Sequence, residues 1–178
     1  MKCSVFIATS LDGFIAREDG RIDWLDQANQ SVPPGKDCGY GEFMSTVDAL
    51  VMGRKSFETV LTFPEWPYGD LPVFVLTSTM SEVPEGAPAS VQMLDGEPAI
   101  VVEALTDAGY EHLYIDGGAT IHGFLMEGLI NEITITTVPI LIGNGRRLFA
   151  EFEGELPVQL ISSVAYDFGF VQSRYLVG

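Results

Sequence analysis

The sequence predicts an α/β fold in which a mixed, mostly parallel sheet carries helices on both faces. Short apolar runs alternate with helical segments along most of the chain, as is typical of a parallel sheet. Two of these runs, ending at Met52 and Asp116, turn on glycine into a helix. The last part of the chain contains only strand patterns, which indicates antiparallel C-terminal edge strands.

Each element rests on its local pattern. Runs rich in Val, Ile and Phe indicate buried strands, and apolar residues at helical spacing indicate amphipathic helices. Pro139 interrupts one long strand, which points to an edge or a bulge. In chain order we expect strand 3–9, a helix capped by Asp37 and running to about Thr46, strand and helix over 47–58 broken at Gly53, strands 72–76 and 90–94, helix 97–108, strand 112–116, helix 119–127, strand 133–142, and a hairpin of 158–166 with 170–177.

Composition excludes several classes of protein. The chain has 178 residues, 47% of them hydrophobic, and is expected to form one domain over residues 1–178. Its net charge of −16 argues against nucleic acid and anionic membranes as partners. No apolar run approaches the roughly 20 residues of a membrane span, and the N-terminal run is too short for a signal peptide, so we expect a cytoplasmic protein. The two cysteines and two histidines show no metal-binding spacing, and no metal is expected.

Groups that can bind a ligand follow three of the predicted strands. They are Gly53-Arg54-Lys55-Ser56, Thr77-Ser78-Thr79 and Gly117-Gly118-Ala119-Thr120. Ligands bind at the carboxyl ends of strands in such sheets, and a glycine turn into a helix offers free N–H groups to an anion. Two such turns with a hydroxyl cluster suit a dinucleotide, although each motif alone is also typical of an ordinary turn or helix cap. Neither G-x-G-x-x-G nor a P-loop is present.

These motifs resemble those of a known superfamily. Val51-Met52-Gly53-Arg54-Lys55-Ser56-Phe57-Glu58 resembles the cofactor-binding motif of the dihydrofolate reductases, and Asp12-Gly13-Phe14-Ile15-Ala16, Leu76-Thr77-Ser78 and Ile115-Asp116-Gly117-Gly118-Ala119 follow the same order. The segment 138–149, together with Ser10-Leu11-Asp12-Gly13, is similar to the branch that contains the reductase domain of the riboflavin-biosynthesis deaminase-reductase, the RibD C-terminal family. The resemblance covers essentially the whole chain. It implies a three-layer αβα fold and an NADPH-dependent reductase.

The resemblance also implies roles for individual residues. The cofactor phosphates would be held by Gly53, Arg54, Lys55 and Ser56, and the pyrophosphate by Gly117, Gly118, Ala119 and Thr120. Leu76, Thr77 and Ser78 would lie near the adenosine ribose, and Ala8 and Ile15 would flank the nicotinamide. Asp12 and Trp24 are candidates for the substrate side, although a turn aspartate and a core tryptophan are the simpler interpretations.

The proton donor stays open between two carboxyl groups. Folate reductases use an acid at the start of the helix before the Met-Gly-Arg strand, and Asp37 fits that placement. An exposed N-cap aspartate is an equally good interpretation of Asp37. Glu42, one turn further on, is the second candidate. Either group would need a raised pKa to donate a proton near neutrality.

The chain lacks the zinc motifs of the deaminase domain, so a stand-alone reductase is expected. The substrate would be a pyrimidine- or pterin-like small molecule, as in 5-amino-6-(5-phosphoribosylamino)uracil reduction. The alternatives are a dihydrofolate reductase and a non-catalytic NADPH-binding homodimer module. A homodimer is expected in each case, because the C-terminal strands have apolar faces.

Overall fold

Ten strands form two sheets in the computed structural model, which describes residues 1–80 and 82–178. The eight longest form the central sheet, and the two shortest form a separate ribbon. The strands are β1 Lys2–Ser10, β2 Phe14–Ala16, β3 Ala49–Gly53, β4 Val73–Leu76, β5 Val91–Leu94, β6 His112–Asp116, β7 Glu132–Val138, β8 Arg146–Arg147, β9 Val158–Ala165 and β10 Val171–Val177.

The central sheet has the order β5-β4-β3-β6-β1-β7-β10-β9. Its first six strands are parallel, whereas β10 runs antiparallel to both β7 and β9. The predicted parallel sheet with antiparallel C-terminal edge strands is therefore confirmed. Strand β7 ends at Val138, directly before Pro139, because proline cannot donate a ladder hydrogen bond.

Within residues 1–80 and 82–178, five helices flank the sheet, and four of them correspond to predicted helices. The helix predicted from Asp37 to Thr46 is only five residues long, and it starts after Gly39, whose backbone is left-handed. One helix lacks a counterpart in the sequence analysis; it begins at Asp23 without a side-chain cap to signal it. The helices are α1 Asp23–Asn29, α2 Tyr40–Met44, α3 Arg54–Val60, α4 Pro98–Asp107 and α5 Gly118–Met126.

Alternate side chains of the buried strands enter two different cores. In β3, Ala49 and Val51 join the core that contains Leu105 of α4 and Phe124 of α5. Their neighbours Leu50 and Met52 join the opposite core, which contains Phe57 of α3. Since successive side chains in a strand point to opposite faces, the helices cover both faces of the sheet. This is the three-layer arrangement that the sequence predicts.

Candidate functional site

The two glycine turns lie side by side at the carboxyl ends of neighbouring strands. Met52 of β3 pairs with Asp116 of β6, so that Gly53 and Gly117 end their strands together. A Cβ atom on Gly117 would lie 2.4 Å from Ser56 Oγ, and one on Gly53 would lie 2.9 Å from Thr120 Oγ1. Each glycine therefore lies against the first turn of the other helix, and only glycine allows this approach.

The starts of α3 and α5 leave donors available to a ligand. Neither Gly53 nor Gly117 caps its helix with a side-chain hydrogen bond. The first N–H groups of a helix have no partner within the helix. Arg54 and Lys55 add positive charge at the first turn, and Arg54 Nη1 also donates to Glu58 Oε1 over 2.6 Å. The arrangement can bind an anionic group such as a phosphate.

These turns border a cavity of about 960 Å³, at the upper end of the range for small-molecule sites. Its lining includes both glycine turns and also apolar and aromatic residues such as Phe6 and Leu25. Most of the cofactor-binding residues expected from the sequence line this one cavity: Ala8, Ile15, Gly53, Arg54, Lys55, Ser56, Leu76, Gly117, Gly118, Ala119 and Thr120.

Thr77 and Ser78 do not line the cavity, although Leu76 does. They follow β4 directly, and Thr77 Oγ1 accepts a hydrogen bond from the backbone N–H of Thr79 over 3.2 Å. The hydroxyl cluster thus forms a local turn at the end of the strand.

Asp12 does not line the cavity, and its hydrogen bonds hold segments of the chain together instead. Its carboxylate accepts hydrogen bonds from Ser10 Oγ over 2.6 Å and from the backbone N–H of Gly143 over 2.8 Å. These bonds, that of Ser10 first, lower the pKa of Asp12. The residue therefore joins the turn after β1 to the segment after β7.

Trp24 is fully buried and packs with Val138 and Phe170 instead of lining the cavity. Its Nε1 atom has no hydrogen-bond partner within the described part of the chain. Its neighbours in sequence, Ile22 and Leu25, do line the cavity. Trp24 consequently anchors the segment that carries them.

The two expected proton donors also lie away from the cavity lining. Asp37 is exposed and accepts hydrogen bonds from the N–H groups of Gly41 and Gly39, which lower its pKa. A lowered pKa is the opposite of what a proton donor near neutrality needs. Glu42 is exposed as well and lines a second, smaller cavity of about 310 Å³.

A different carboxyl group lines the main cavity. Asp116 is the last residue of β6, is partly buried, and lines the cavity. Burial raises its pKa to about 6, against the opposing effect of a hydrogen bond from Gly117. From the sequence, Asp116 is recognisable only as part of the motif Ile115-Asp116-Gly117-Gly118-Ala119. The signal in the sequence that could have identified Asp116 as a site residue is an acidic side chain at the end of a central strand, directly before a glycine turn.

Three tyrosines surround Asp116. Tyr68 and Tyr114 line the same cavity, and Tyr40 is close enough to contribute to the electrostatics. Burial raises the pKa of each phenol, that of Tyr40 to about 12, so all three are neutral when Asp116 titrates. Tyr114 Oη donates to the carbonyl oxygen of Phe6 over 2.8 Å, which fixes its ring. Among these four residues, Asp116 is the one whose charge changes near neutrality.

A two-stranded ribbon forms another side of the cavity. Strand β2 pairs with β8, and Arg146 and Arg147 of β8 both line the cavity. A Cβ atom on Gly118 would lie 2.9 Å from Ile15 Cδ1 and 3.4 Å from the carbonyl oxygen of Arg147. The ribbon therefore packs directly against the second glycine turn.

This sheet topology, with a cavity at the carboxyl ends of the parallel strands, defines a protein with a dihydrofolate reductase-like fold. An Enterococcus faecalis dihydrofolate reductase complexed with NADP(H) superposes over 99% of this chain and 96% of its own, with a TM-score of 0.62; at 16% identity, this likeness shows the fold alone. More specifically, the RibD C-terminal domain family matches residues 2–171. The chain belongs to this family.

Two relatives are similar over nearly their whole length. The uncharacterized protein YwjB of Bacillus subtilis (strain 168) is 35% identical over 89% of this chain and 88% of its own. A crystal structure from Shewanella sp. PV-4, named "Putative riboflavin biosynthesis protein", is 44% identical and has a TM-score of 0.92 over 100% of this chain and 99% of its own. In the part of the chain that the structure describes, no helix is long and apolar enough to cross a bilayer.

The cavity fits the dinucleotide that the fold family implies. The contacts of Gly53 with Thr120 and of Gly117 with Ser56 hold the two helix starts side by side, so that their free N–H groups border the same cavity and can face a phosphate. Arg54 and Lys55 supply the opposite charge there, and Ala8 and Ile15 supply apolar surface for a ring.

Proposed function

We propose that this protein is an NADPH-dependent reductase that transfers a hydride to a pyrimidine- or pterin-like substrate, of the 5-amino-6-(5-phosphoribosylamino)uracil reductase type. The observation that carries the proposal is the contact of Gly117 with Ser56 and of Gly53 with Thr120. It brings two phosphate-binding turns together in the lining of a cavity large enough for a dinucleotide and a second ligand. Membership of the RibD C-terminal domain family supports the same reaction class.

NADPH, when bound, supplies the hydride. Its phosphates would be held by the two turns, at residues 53–56 and 117–120, with Arg54 and Lys55 neutralising charge. Leu76 would contact the adenosine part of NADPH, and Thr77 and Ser78 would lie just outside the cavity lining. Ala8 and Ile15 would flank the nicotinamide, and the chain's part is to position the two ligands and exclude water.

Protonation of the substrate is assigned to Asp116. This carboxyl group lines the cavity, and its raised pKa keeps a fraction of it protonated near neutrality. The geometry favours it over Asp37, whose carboxylate is committed to two backbone N–H groups. It also favours Asp116 over Glu42, which lines the other cavity.

The substrate would lie against the aromatic residues of the lining, Phe6, Tyr68 and Tyr114. Aromatic walls suit a flat heterocycle. Asp12 and Trp24 would act on the substrate side by fixing the segments that carry lining residues, and not by direct contact.

The protein is also proposed to be a homodimer, joined through the β9–β10 hairpin. All eight residues of β9 are exposed, and β9 is an edge strand in the described part of the chain. Val158, Leu160 and Val171 are respectively 51%, 54% and 41% exposed, and the pairing register places them on the same face of the hairpin. A long apolar edge strand is normally covered in a native protein, and a second copy of the hairpin has the matching surface.

The experiment is an activity assay with purified protein, which follows NADPH oxidation with 5-amino-6-(5-phosphoribosylamino)uracil and, separately, with dihydrofolate. Turnover of the first substrate that Asp116→Asn slows strongly, without abolishing it, would support the proposal. Turnover of dihydrofolate alone would identify the chain as a dihydrofolate reductase. Binding of NADPH without turnover of either substrate or of other pterins and pyrimidines would favour the non-catalytic module.

A further inference from the structure

The second cavity, of about 310 Å³, adjoins the main cavity along β1. Residues at even positions of this strand point to one face of the central sheet, because side chains alternate along a strand and the pairing of β1 with β7 has no register shift. On that face Lys2 lines the second cavity, Ala8 lines the main cavity, and Phe6 lines both. Among the residues that the structure describes, only Phe6 is common to the two. The side chain of Phe6 therefore lies where the cavities meet.

Two aromatic residues of α2 hold the ring of Phe6 in place. The ring of Phe43 stacks on it with the centroids 5.0 Å apart and an angle of 28° between the planes, and the ring of Tyr40 lies 5.6 Å away at 59°. Tyr114 adds a further contact, since its ring meets that of Phe43 edge-on at 5.0 Å and its Oη donates to the carbonyl oxygen of Phe6 over 2.8 Å. Aromatic pairs in such geometries stabilise one another. The position of the Phe6 ring is therefore fixed by its neighbours.

These rings form a wall between the two cavities. Phe43 lines only the second cavity, and Tyr114 lines only the main cavity, so the wall separates the space beside α2 from the space beside the end of β6. The proposed position of the substrate is on the main-cavity side of this wall, against Phe6 and Tyr114. A ligand that lies there meets the ring of Phe6 before it reaches the second cavity. The size of residue 6 therefore limits how far the ligand can extend in that direction.

We propose that Phe6 is a specificity-determining residue of the reductase, whose ring closes the main cavity on the side of the second cavity and restricts the substrate to a compact heterocycle. A heterocycle that carries a further ring in this direction would overlap with Phe6, and a close-packed wall of aromatic rings resists such overlap. Loss of the ring would join two cavities of about 960 and 310 Å³. This inference rests on the proposed function, because it defines which substrates fit the same site.

The experiment measures dissociation constants for NADPH and, in the presence of NADP⁺, for pterin, 6-phenylpterin and 7-phenylpterin. The phenyl group of the two larger probes has the size of the ring that Phe6→Ala removes, and its two positions cover two directions of extension. The other proteins are the wild type, Phe6→Leu and Phe63→Ala. Phe63 is the matched control, because it is a phenylalanine that lines the main cavity but not the second one. Thermal melting checks that each variant is folded, and Phe6→Leu retains apolar packing if Phe6→Ala does not fold.

We expect the wild type to bind pterin about 10-fold or more tightly than either phenylpterin, the scale on which an apolar pocket discriminates by size. In Phe6→Ala this preference should fall by about 10-fold or more for at least one phenylpterin, and Phe6→Leu should lie between the two proteins. Phe63→Ala should keep the wild-type preference within twofold. General damage to the fold would weaken the binding of all three pterins together, so the ratio of their dissociation constants reports the wall itself.

A preference in Phe6→Ala within twofold of that of the wild type would overturn the role of Phe6 and leave the reductase proposal standing. An equal fall in Phe63→Ala would overturn it too, because any enlargement of the main cavity would then suffice. If the wild type binds neither NADPH nor pterin but Phe6→Ala gains binding of a phenylpterin, the role of Phe6 survives and the proposed function fails. No binding of any pterin by any of the proteins would overturn both.

Discussion

Gly117 lies against Ser56, and a Cβ atom on this glycine would fall 2.4 Å from the serine hydroxyl oxygen. The contact joins the end of β6 to the first turn of α3, two segments far apart in the sequence. Gly117 also has a φ of +91°, which is unfavourable for other residues. Both constraints act at the point where the cofactor phosphates are proposed to bind.

We expect Gly117→Ala to destabilise the fold more than substitution of another glycine with a similar φ. Gly109 is the control, because its φ is +93° and a Cβ atom there would meet nothing within 4 Å. Each change should lose about 1–3 kcal/mol because a positive φ is unfavourable for alanine, and at Gly117 the φ of +91° is combined with a ψ of 130°. Gly117→Ala should lose about 1–3 kcal/mol more because of the overlap with Ser56. Urea unfolding measures both, and equal losses would show that the contact is not tight.

The same contact predicts a rescue. Ser56→Ala removes the oxygen at 2.4 Å and leaves only the Cβ atom at 3.4 Å. The double variant Gly117→Ala/Ser56→Ala should therefore recover part of the additional loss of stability. If the two changes are simply additive, the overlap does not cause the loss.

Asp116→Asn should abolish the decline of the reaction rate that we expect at higher pH. Asp116 donates a proton only when it is protonated, and burial raises its pKa to about 6. The kcat/KM of the wild type should therefore fall as the pH rises above about 6. Glu42→Gln and Asp37→Asn are the controls, and each should leave the profile unchanged. A profile altered by Asp37→Asn instead would return the role of proton donor to the helix start.

Asp116 should also make the free protein less stable as the pH rises. Its pKa is raised from 3.8 to about 6 on folding, so the folded state binds more protons than the unfolded state between these values. The free energy of unfolding that Asp116 contributes is thus highest below the lower value and declines through the upper one. Relative to the wild type, Asp116→Asn should gain about 1–3 kcal/mol between pH 4 and 7. Melting curves across this range test the sign, and a constant difference would contradict it.

Leu160→Lys should convert the proposed dimer into a monomer. Leu160 is 54% exposed on the apolar face of the β9–β10 hairpin, where a charge would be buried by a second copy. Leu141→Lys is the control, since Leu141 is 68% exposed but lies outside both hairpin strands. Light scattering after gel filtration gives the mass of each variant. A wild-type monomer would contradict the proposal directly.

The sequence predicted most strands and both glycine turns, because buried parallel strands are short apolar runs and a strand-to-helix glycine is a local signal. It could not identify Asp116, whose raised pKa arises from burial by residues distant in the sequence. Asp37 shows the converse case, because its position in the sequence suits a proton donor whereas its contacts in the structure do not. Its position along the chain matched a known proton donor, but the local turn to Gly39 and Gly41 determines its contacts.

The ribbon of β2 and β8 shows the same limit. Its strands are three and two residues long, too short for a periodic pattern to register. Arg146 and Arg147 line the cavity only because this pairing brings residues 14–16 to residues 146–147. The size of Trp24 alone predicts a position in the pocket wall or the core, and the structure places it in the core.

The most direct test of the reductase account is a fluorescence titration of the wild type, Arg54→Ala and Glu58→Ala with NADPH and NADH. Glu58 is the matched control, since it is the ion-pair partner of Arg54 and does not line the cavity. The account predicts that the wild type binds NADPH, that Arg54→Ala weakens binding by about 1–3 kcal/mol, and that Glu58→Ala does not weaken it. Absence of binding of either dinucleotide to the wild type would contradict the account.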